Sequence, residues 1–363
     1  MIGKSAVYHL KQRIIHLKEI LSKKKIFSFL VTEMHNIRYL TGFTGSSGFL
    51  FIAKNATVFV TDFRYREQAE KQVKNCEIVT GEKNMMQTMR TLIASTNTRE
   101  LGIESSVSYH DFMKMHSAGF NVTPLTGVIE KLRESKDAHE LYTIKKAVRR
   151  AEAAFRTIKP YIRSGQTERS IALRLEAELK KHGCRKIPFD IIVASGPHAS
   201  MPHAQPTERR LSAGDLVIID WGGEADGYFS DMTRTFLIKG GTNIEKKKEM
   251  YRIVLKANQK ARESVSAGVK ASTVDAAARE FIKISGYSRF FGHGTGHGVG
   301  LQVHESPRIA WDRKERIREH MVFTIEPGIY LPNIGGVRIE DMVTVIENKS
   351  KVLTSLPRRL EII

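Results

Sequence analysis

The chain has 363 residues, 41 % of them apolar and 27 % charged, with two cysteines and a formal net charge of +19. That length points to two domains and to a core that needs no staples. The composition is that of an ordinary globular protein and excludes a disulfide scaffold, because Cys76 and Cys184 stand far apart and form no metal-finger or paired spacing. The basic residues fall in scattered clusters such as Lys23-Lys24-Lys25, Lys246-Lys247-Lys248 and Arg358-Arg359. A lysine-rich solvated surface is therefore expected, with no specific nucleic-acid face. No segment approaches the roughly 18 apolar residues that span a bilayer. The N-terminus lacks the apolar run of a secretory leader. A cytoplasmic protein with no membrane partner is expected.

Leu10, Ile14, Leu17 and Leu21 recur at three- and four-residue steps and predict an amphipathic helix over 8–22. Residues 26–31 read as a strand. Gly48–Ile52 and Thr57–Val60 read as a hairpin around Lys54-Asn55-Ala56. A helix over 64–73 and short strands at 77–79 and 101–103 complete an α/β pattern. Turn signals at Thr123–Gly127 precede a charged stretch, which places a domain boundary near Arg133: 1–133, then 134–363.

In the second part, helices are expected over 138–161 and over 167–182, the latter capped by Thr167. Strands follow at 189–194, 215–221 and 228–238. Helices at 243–265 and 272–284 lead to strands at 321–325, 329–331 and 337–345. The order helix-helix-strands occurs twice, which suggests two similarly built halves.

Asp220 and Asp231 flank a turn at Ala225-Asp226-Gly227. Closure at Ala225-Asp226 would set the two acids directly opposite, and closure at Asp226-Gly227 would make them diagonal neighbours. Like charges so placed need a cation between them. His293 and His297 lie in Gly292-His293-Gly294-Thr295-Gly296-His297-Gly298-Val299-Gly300. The glycines make a helical H-E-x-x-H zinc site a poor expectation and instead permit close backbone approach. The run also lacks the spacing of a phosphate-binding loop. His304 follows seven residues later. Glu326 and Glu340 are acids among apolar strand residues, where a ladder has no need of charge. Arg338 is two residues from Glu340, hence on the same face of an extended strand, and could orient a bridging carboxylate or the substrate. Four carboxylates and one imidazole suit two divalent ions, so a metal-dependent hydrolase is expected.

The stretches Ser200–Ala204, Ile219–Arg234, Phe291–Glu305, Thr324–Gly328 and Val337–Asp341 together resemble the pita-bread metallopeptidases, in the branch of aminopeptidase P and prolidase. Asn36–Gly48 and Thr61–Tyr65 look like the N-terminal domain of aminopeptidase P and its shorter relatives. The resemblance implies an α+β chain: a catalytic pita-bread domain preceded by a smaller α/β creatinase-like domain that shapes substrate access or an oligomer interface. It implies that Asp220, Asp231, His297, Glu326 and Glu340 hold two metals, with Asp231 and Glu340 bridging. It places His203, His293 and His304 around the substrate, and Arg338 behind the ligands.

The expected activity is release of the N-terminal residue from peptides with proline at the second position. An Xaa-Pro dipeptidase is the alternative, and a non-catalytic binding protein of the same fold a distant one. Glu326 is the candidate proton shuttle; His304 or His293 would stabilise the oxyanion. An oxygen-rich ligand set without thiolate favours manganese, with cobalt or zinc as alternatives. A homodimer is expected from the resemblance.

Overall fold

Leu10, Ile14, Leu17 and Leu21 form the buried stripe of helix α1 (Lys4–Lys23). In the computed structural model, which describes residues 4–81, 85–95 and 99–363, the chain divides into two units, Met1–Arg133 and Glu134–Ile363.

After α1 the first unit runs β1 (Ser28–Val31), α2 (Met34–Thr41), β2 (Phe49–Ala53), β3 (Thr57–Asp62), α3 (Arg66–Gln72), β4 (Glu77–Gly81), α4 (Met85–Ala94), β5 (Glu100–Glu104), α5 (Tyr109–Ser117), β6 (Asn121–Leu125) and α6 (Val128–Glu134). Its six-stranded sheet has the order β4-β3-β2-β1-β5-β6. The β2–β3 hairpin closes around Lys54-Asn55-Ala56, with Ile52 opposite Thr57. Helices α2, α4, α5 and α6 went unread in the sequence. Thr123–Leu125, read there as the start of a turn, belongs to a strand. Pro124 is tolerated because β6 is an edge strand bonded only to β5.

The second unit begins with α7 (Ala138–Ile158), whose Asp137 and Glu140 form a capping box, and α8 (Glu168–Lys181), capped by Thr167. Strands β7 (Ile192–Ser195), β8 (Leu216–Trp221), β9 (Glu224–Ala225), β10 (Tyr228–Phe229) and β11 (Met232–Leu237) follow. Next come α9 (Ile244–Glu263) and α10 (Ala271–Ile284). The chain ends in β12 (Gly296–Gly298), β13 (Glu305–Ile309), β14 (Val322–Ile325), β15 (Gly328–Leu331), β16 (Gly335–Arg338), β17 (Asp341–Ile346), β18 (Lys349–Val352) and β19 (Glu361–Ile362). One sheet has the order β19-β11-β8-β7 and the other β13-β12-β14-β17-β18. Each half thus supplies two helices and antiparallel strands, and β19 at the chain's end joins the first sheet parallel to β11.

Two strands expected as continuous are broken. The stretch 228–238 splits at Ser230-Asp231, and 337–345 splits at Ile339-Glu340. The strand expected at 189–194 starts only at Ile192. The breaks at Asp231 and Glu340 matter most, because they leave those acids outside a regular ladder. Each backbone N–H finds a partner across the sheet instead: Asp231 on Met342 Sδ and Glu340 on the Thr233 carbonyl.

Candidate metal centre

The hairpin that carries Asp220 and Asp231 closes at Asp226-Gly227, both with positive φ, 46° and 79°. That is the two-residue turn whose twist suits a β-ribbon. Tyr228 then pairs with Ala225 and Thr233 with Asp220, so Asp231 is the diagonal neighbour of Asp220. Of the two registers open from sequence, the diagonal one forms.

His297 enters from β12, where its glycine neighbours allow the strand to lie close to the next ones. A Cβ at Gly296 would fall 1.9 Å from the Thr324 carbonyl oxygen, and one at Gly298 2.2 Å from the Ser306 oxygen. Glu326 sits one residue beyond β14, with its N–H on the Thr295 carbonyl. Asp231, Glu326 and Glu340 therefore all occupy gaps between consecutive strands, while Asp220 and His297 lie within strands.

These five side chains converge. Ligand-type atoms of Asp220, Asp231 and Glu340 lie within 4.8 Å of one another, as do those of His297, Glu326 and Glu340, and those of Asp231, His297 and His304. His297 Nε2 is 3.5 Å from Asp231 Oδ2 and 3.5 Å from Glu326 Oε1. The tautomer follows from the other nitrogen: Nδ1 lies 3.1 Å from the Gly298 carbonyl, which can only accept. The proton therefore sits on Nδ1, and the Nε2 lone pair faces carboxylate oxygens.

The Asp231 and Glu340 carboxylates are buried, and their mutual charge is unfavourable as it stands. Asp231 is 4 % exposed and Glu340 1 %. Burial, then the charges of Glu340 and Asp220, push the Asp231 carboxyl well above the usual carboxylate range. Burial, then Glu326 and Asp220, does the same to Glu340, and burial raises Glu326. Among the described residues, Asp220 Oδ1, Asp231 Oδ1 and Glu340 Oε1 are buried without a hydrogen-bond partner. Orphaned acceptors of this kind are costly. A set of anionic oxygens and one imidazole lone pair, all unpartnered and mutually close, fits divalent cations.

The surrounding polar groups fix the set. Arg338 NH2 donates to Asp220 Oδ2 at 2.6 Å, its Nε to Thr233 Oγ1, and its NH1 to Tyr330 Oη and the Pro202 carbonyl. The ladder of β16 ends at Arg338, two residues before Glu340. Thr233 links Arg338 to Glu340: it accepts from Arg338 Nε and its hydroxyl donates to Glu340 Oε2 at 2.7 Å. Tyr330 Oη lies 2.9 Å from His293 Nε2, and His293 Nδ1 faces the Gly294 carbonyl. Both His293 nitrogens are thus engaged. His304 stands differently. It is exposed, its ring centroid is 4.3 Å from that of His297, and burial of part of the ring with the His297 charge lowers its pKa to about 4. His203 is exposed on the loop whose Pro202 carbonyl Arg338 holds, and its charge acts on both His293 and His304.

Sequence reading missed the supports. Buried Asp275 on α10 accepts from Thr295 N and Oγ1 and pairs with Arg279, which donates to the carbonyls of Phe291 and His293. Together they hold the Gly/His run. Asn258 on α9 donates to the carbonyls of Ile325 and Ile339, the residues just before Glu326 and Glu340. The available signal was a polar residue on the helix's apolar stripe: Val254, Ala257, Asn258 and Ala261 are buried together.

Residues 143–347 match metallopeptidase family M24, and residues 13–135 match the creatinase/prolidase N-terminal domain. The chain is 37 % identical to an Xaa-Pro dipeptidase of Pyrococcus furiosus over 355 residues, 97 % of this chain and 100 % of the relative. Among solved structures it resembles an Xaa-Pro dipeptidase from Bacillus anthracis, with a TM-score of 0.94 and 36 % identity over 98 % of this chain and 100 % of that one. An X-Pro aminopeptidase from Thermotoga maritima gives a TM-score of 0.87 and 33 % identity over 96 % of this chain and 99 % of that one. With its divalent-ion donor set and the prolidase-like architecture of both units, the chain belongs to metallopeptidase family M24.

Proposed function

We propose that this metallopeptidase releases the N-terminal residue from peptides with proline at the second position, using two divalent ions held by Asp220, Asp231, His297, Glu326 and Glu340. The observation that carries the reading is the meeting of the His297 Nε2 lone pair with Asp231 and Glu326, each at 3.5 Å, beside three orphaned carboxylate oxygens. Asp231 and Glu340 would be ligands to both ions, with Asp220 a further ligand to one and His297 and Glu326 to the other. Bound there, the ions supply Lewis acidity, lowering the pKa of a water and polarising the scissile carbonyl.

The chain's own groups do the rest. Glu326, at the end of β14, accepts the proton of the attacking water and returns it to the leaving nitrogen. His304, with no hydrogen-bond partner among the described residues, offers an N–H to the developing oxyanion. His293 is locked between Tyr330 and Gly294 and serves as a wall and an orienting group. Arg338 holds the Asp220 carboxylate in place through its hydrogen bond to Oδ2. His203 completes the substrate side.

Manganese suits the oxygen-rich donor set, with cobalt or zinc able to replace it. The unit boundary at 133/134 separates a domain for substrate access and oligomerisation from the catalytic one. We infer a homodimer from the resemblance, and a cytoplasmic location from a sequence in which no segment reads as a secretory leader or membrane span. Among the described residues, no helix is long and apolar enough to cross a membrane.

A dipeptidase is the second reading. It is favoured by the relatives named Xaa-Pro dipeptidase whose full length this chain matches. Metal-stripped protein reloaded with manganese, cobalt or zinc is offered Xaa-Pro dipeptides and Xaa-Pro-Xaa tripeptides. Cleavage of tripeptides supports the aminopeptidase, and cleavage of dipeptides alone the dipeptidase. Failure with every metal on both substrates ends the proposal.

A further inference from the structure

The first unit holds a cavity of about 550 Å³ beside α1, walled by Ile15, Leu21, Ile26, Phe27 and Ile52. Its size falls among ligand pockets, roughly 300–1,000 Å³. Ile15 and Phe27 remain 45 % and 57 % exposed, more apolar surface than a solvated helix edge needs. Lys18, Lys23 and Lys54 also line it, against one carboxylate, Glu19.

Lysines over apolar surface usually extend their ammonium to water. Lys18 does not. Its Nζ turns onto the carbonyls of Lys54 and Ala56, each at 3.3 Å, and among the described residues it has no carboxylate partner. Burial lowers its pKa. A partly desolvated ammonium without a counter-charge, at an apolar cavity with a positive rim, complements a ligand with an apolar tail and an anionic head.

We propose that this cavity binds a long-chain carboxylate, its tail against Ile15, Phe27 and Ile52 and its head on Lys18. The site lies within the first unit and is independent of the metal centre.

The test is calorimetric titration of the full-length, metal-loaded protein with decanoate below its aggregation threshold, beside decanol and decyltrimethylammonium. Decanoate should saturate a single site, decanol should bind more weakly, and the cation should not bind. Lys18→Met should weaken decanoate about fivefold and leave decanol unchanged. Ser22→Phe, at an exposed helix position lining the cavity, should block both ligands with helix content unchanged. The proposal is overturned by absent saturable decanoate binding, by equal affinity in Lys18→Met, or by binding that survives Ser22→Phe. Binding only to anionic vesicles also overturns it. So does a Phe27→Ser variant that changes the sedimenting mass while decanoate leaves the wild type unbound, which would make a second copy of the chain the occupant.

Discussion

The amide nitrogen of Asn258 donates to the carbonyl of Ile325 at 2.9 Å, and the same nitrogen reaches the carbonyl of Ile339 at 3.0 Å. One side chain on α9 thereby joins the two chain breaks that present Glu326 and Glu340. Its own oxygen accepts from Arg262. Asn258→Leu keeps the volume and leaves two buried carbonyls unpaired. A stability loss of about 2 kcal/mol is expected from that alone. The positional effect is separate: metal affinity should fall roughly 10–100-fold, the usual cost of losing an outer partner of a metal site. Manganese titration alongside thermal unfolding reads both. Lower stability with unchanged affinity would reduce Asn258 to a packing residue.

Tyr330 stands between two groups that sequence reading placed in the site without connecting them. Arg338 NH1 donates to its oxygen at 2.9 Å, and its own proton is then free for His293 Nε2, also at 2.9 Å. Burial pushes the phenol up to about 12, so it remains a hydroxyl at neutral pH. Tyr330→Phe keeps the ring and removes the relay. We expect kcat to fall about tenfold and stability by about 1 kcal/mol, with the metal content retained. Steady-state kinetics and metal analysis on the same preparation decide it. An unchanged kcat would show that His293 needs no such restraint.

How far the sequence is legible can be seen residue by residue. Asp220 and His297 were identifiable because a charge after Leu216–Ile219 and an imidazole between glycines have no local structural excuse. The turn at Asp226-Gly227 even contained the register, since those two types accept positive φ. The strand breaks at Asp231 and Glu340 were not legible. Apolar alternation runs through both, and only the neighbouring strands that accept their N–H groups reveal the gap. Asp275, Thr233 and Asn258 act across more than sixty residues in two of three cases and twenty in the other, and such pairing leaves no local periodicity. Helix α5 was missed because its exposed face carries few charges and its buried stripe is short: Met115 is its buried residue.

Without its ions the centre should work against folding, and that has a sign in pH. A carboxyl whose folded pKa is raised binds protons more tightly in the native state. Stability then rises as pH falls from neutral toward the unfolded value, about 3.9 for Asp. Burial first, with Glu340 and Asp220 next, places Asp231 in this class. Metal-free wild type should therefore gain stability on mild acidification. Metal-free Asp231→Asn should be about 1 kcal/mol more stable at neutral pH and show a flatter profile. The same variant should lose activity, since a bridging position is gone. Urea unfolding with and without chelator separates the effects. A metal-free Asp231→Asn protein less stable than wild type would mean that this carboxylate stabilises the fold without any ion.

Glu168 gives the opposite sign, away from the metal centre. Its side chain is inaccessible to solvent, and its oxygens accept from Ser195 N and Oγ, Thr207 N and Oγ1, and face His198 Nδ1 at 2.9 Å. Burial alone would raise its pKa, but the Thr207, Ser195 and His198 hydrogen bonds outweigh it and hold the carboxyl below its ordinary value. The stabilisation is fully present above the unfolded value, about 4.3, and is lost as pH falls through the lower folded one. Glu168→Gln turns an amide nitrogen toward groups that donate, so one side of the cluster loses its acceptor. A loss of about 2 kcal/mol is expected at pH 7. The gap to wild type should hold down to about pH 4 and narrow below it, because only wild type has a carboxyl left to protonate. Ions leave both proteins in acid, so unfolding of the two chelated chains over the same pH series isolates this carboxyl. A gap that stays constant to the lowest pH would place the stabilisation in packing and not in the ionised group.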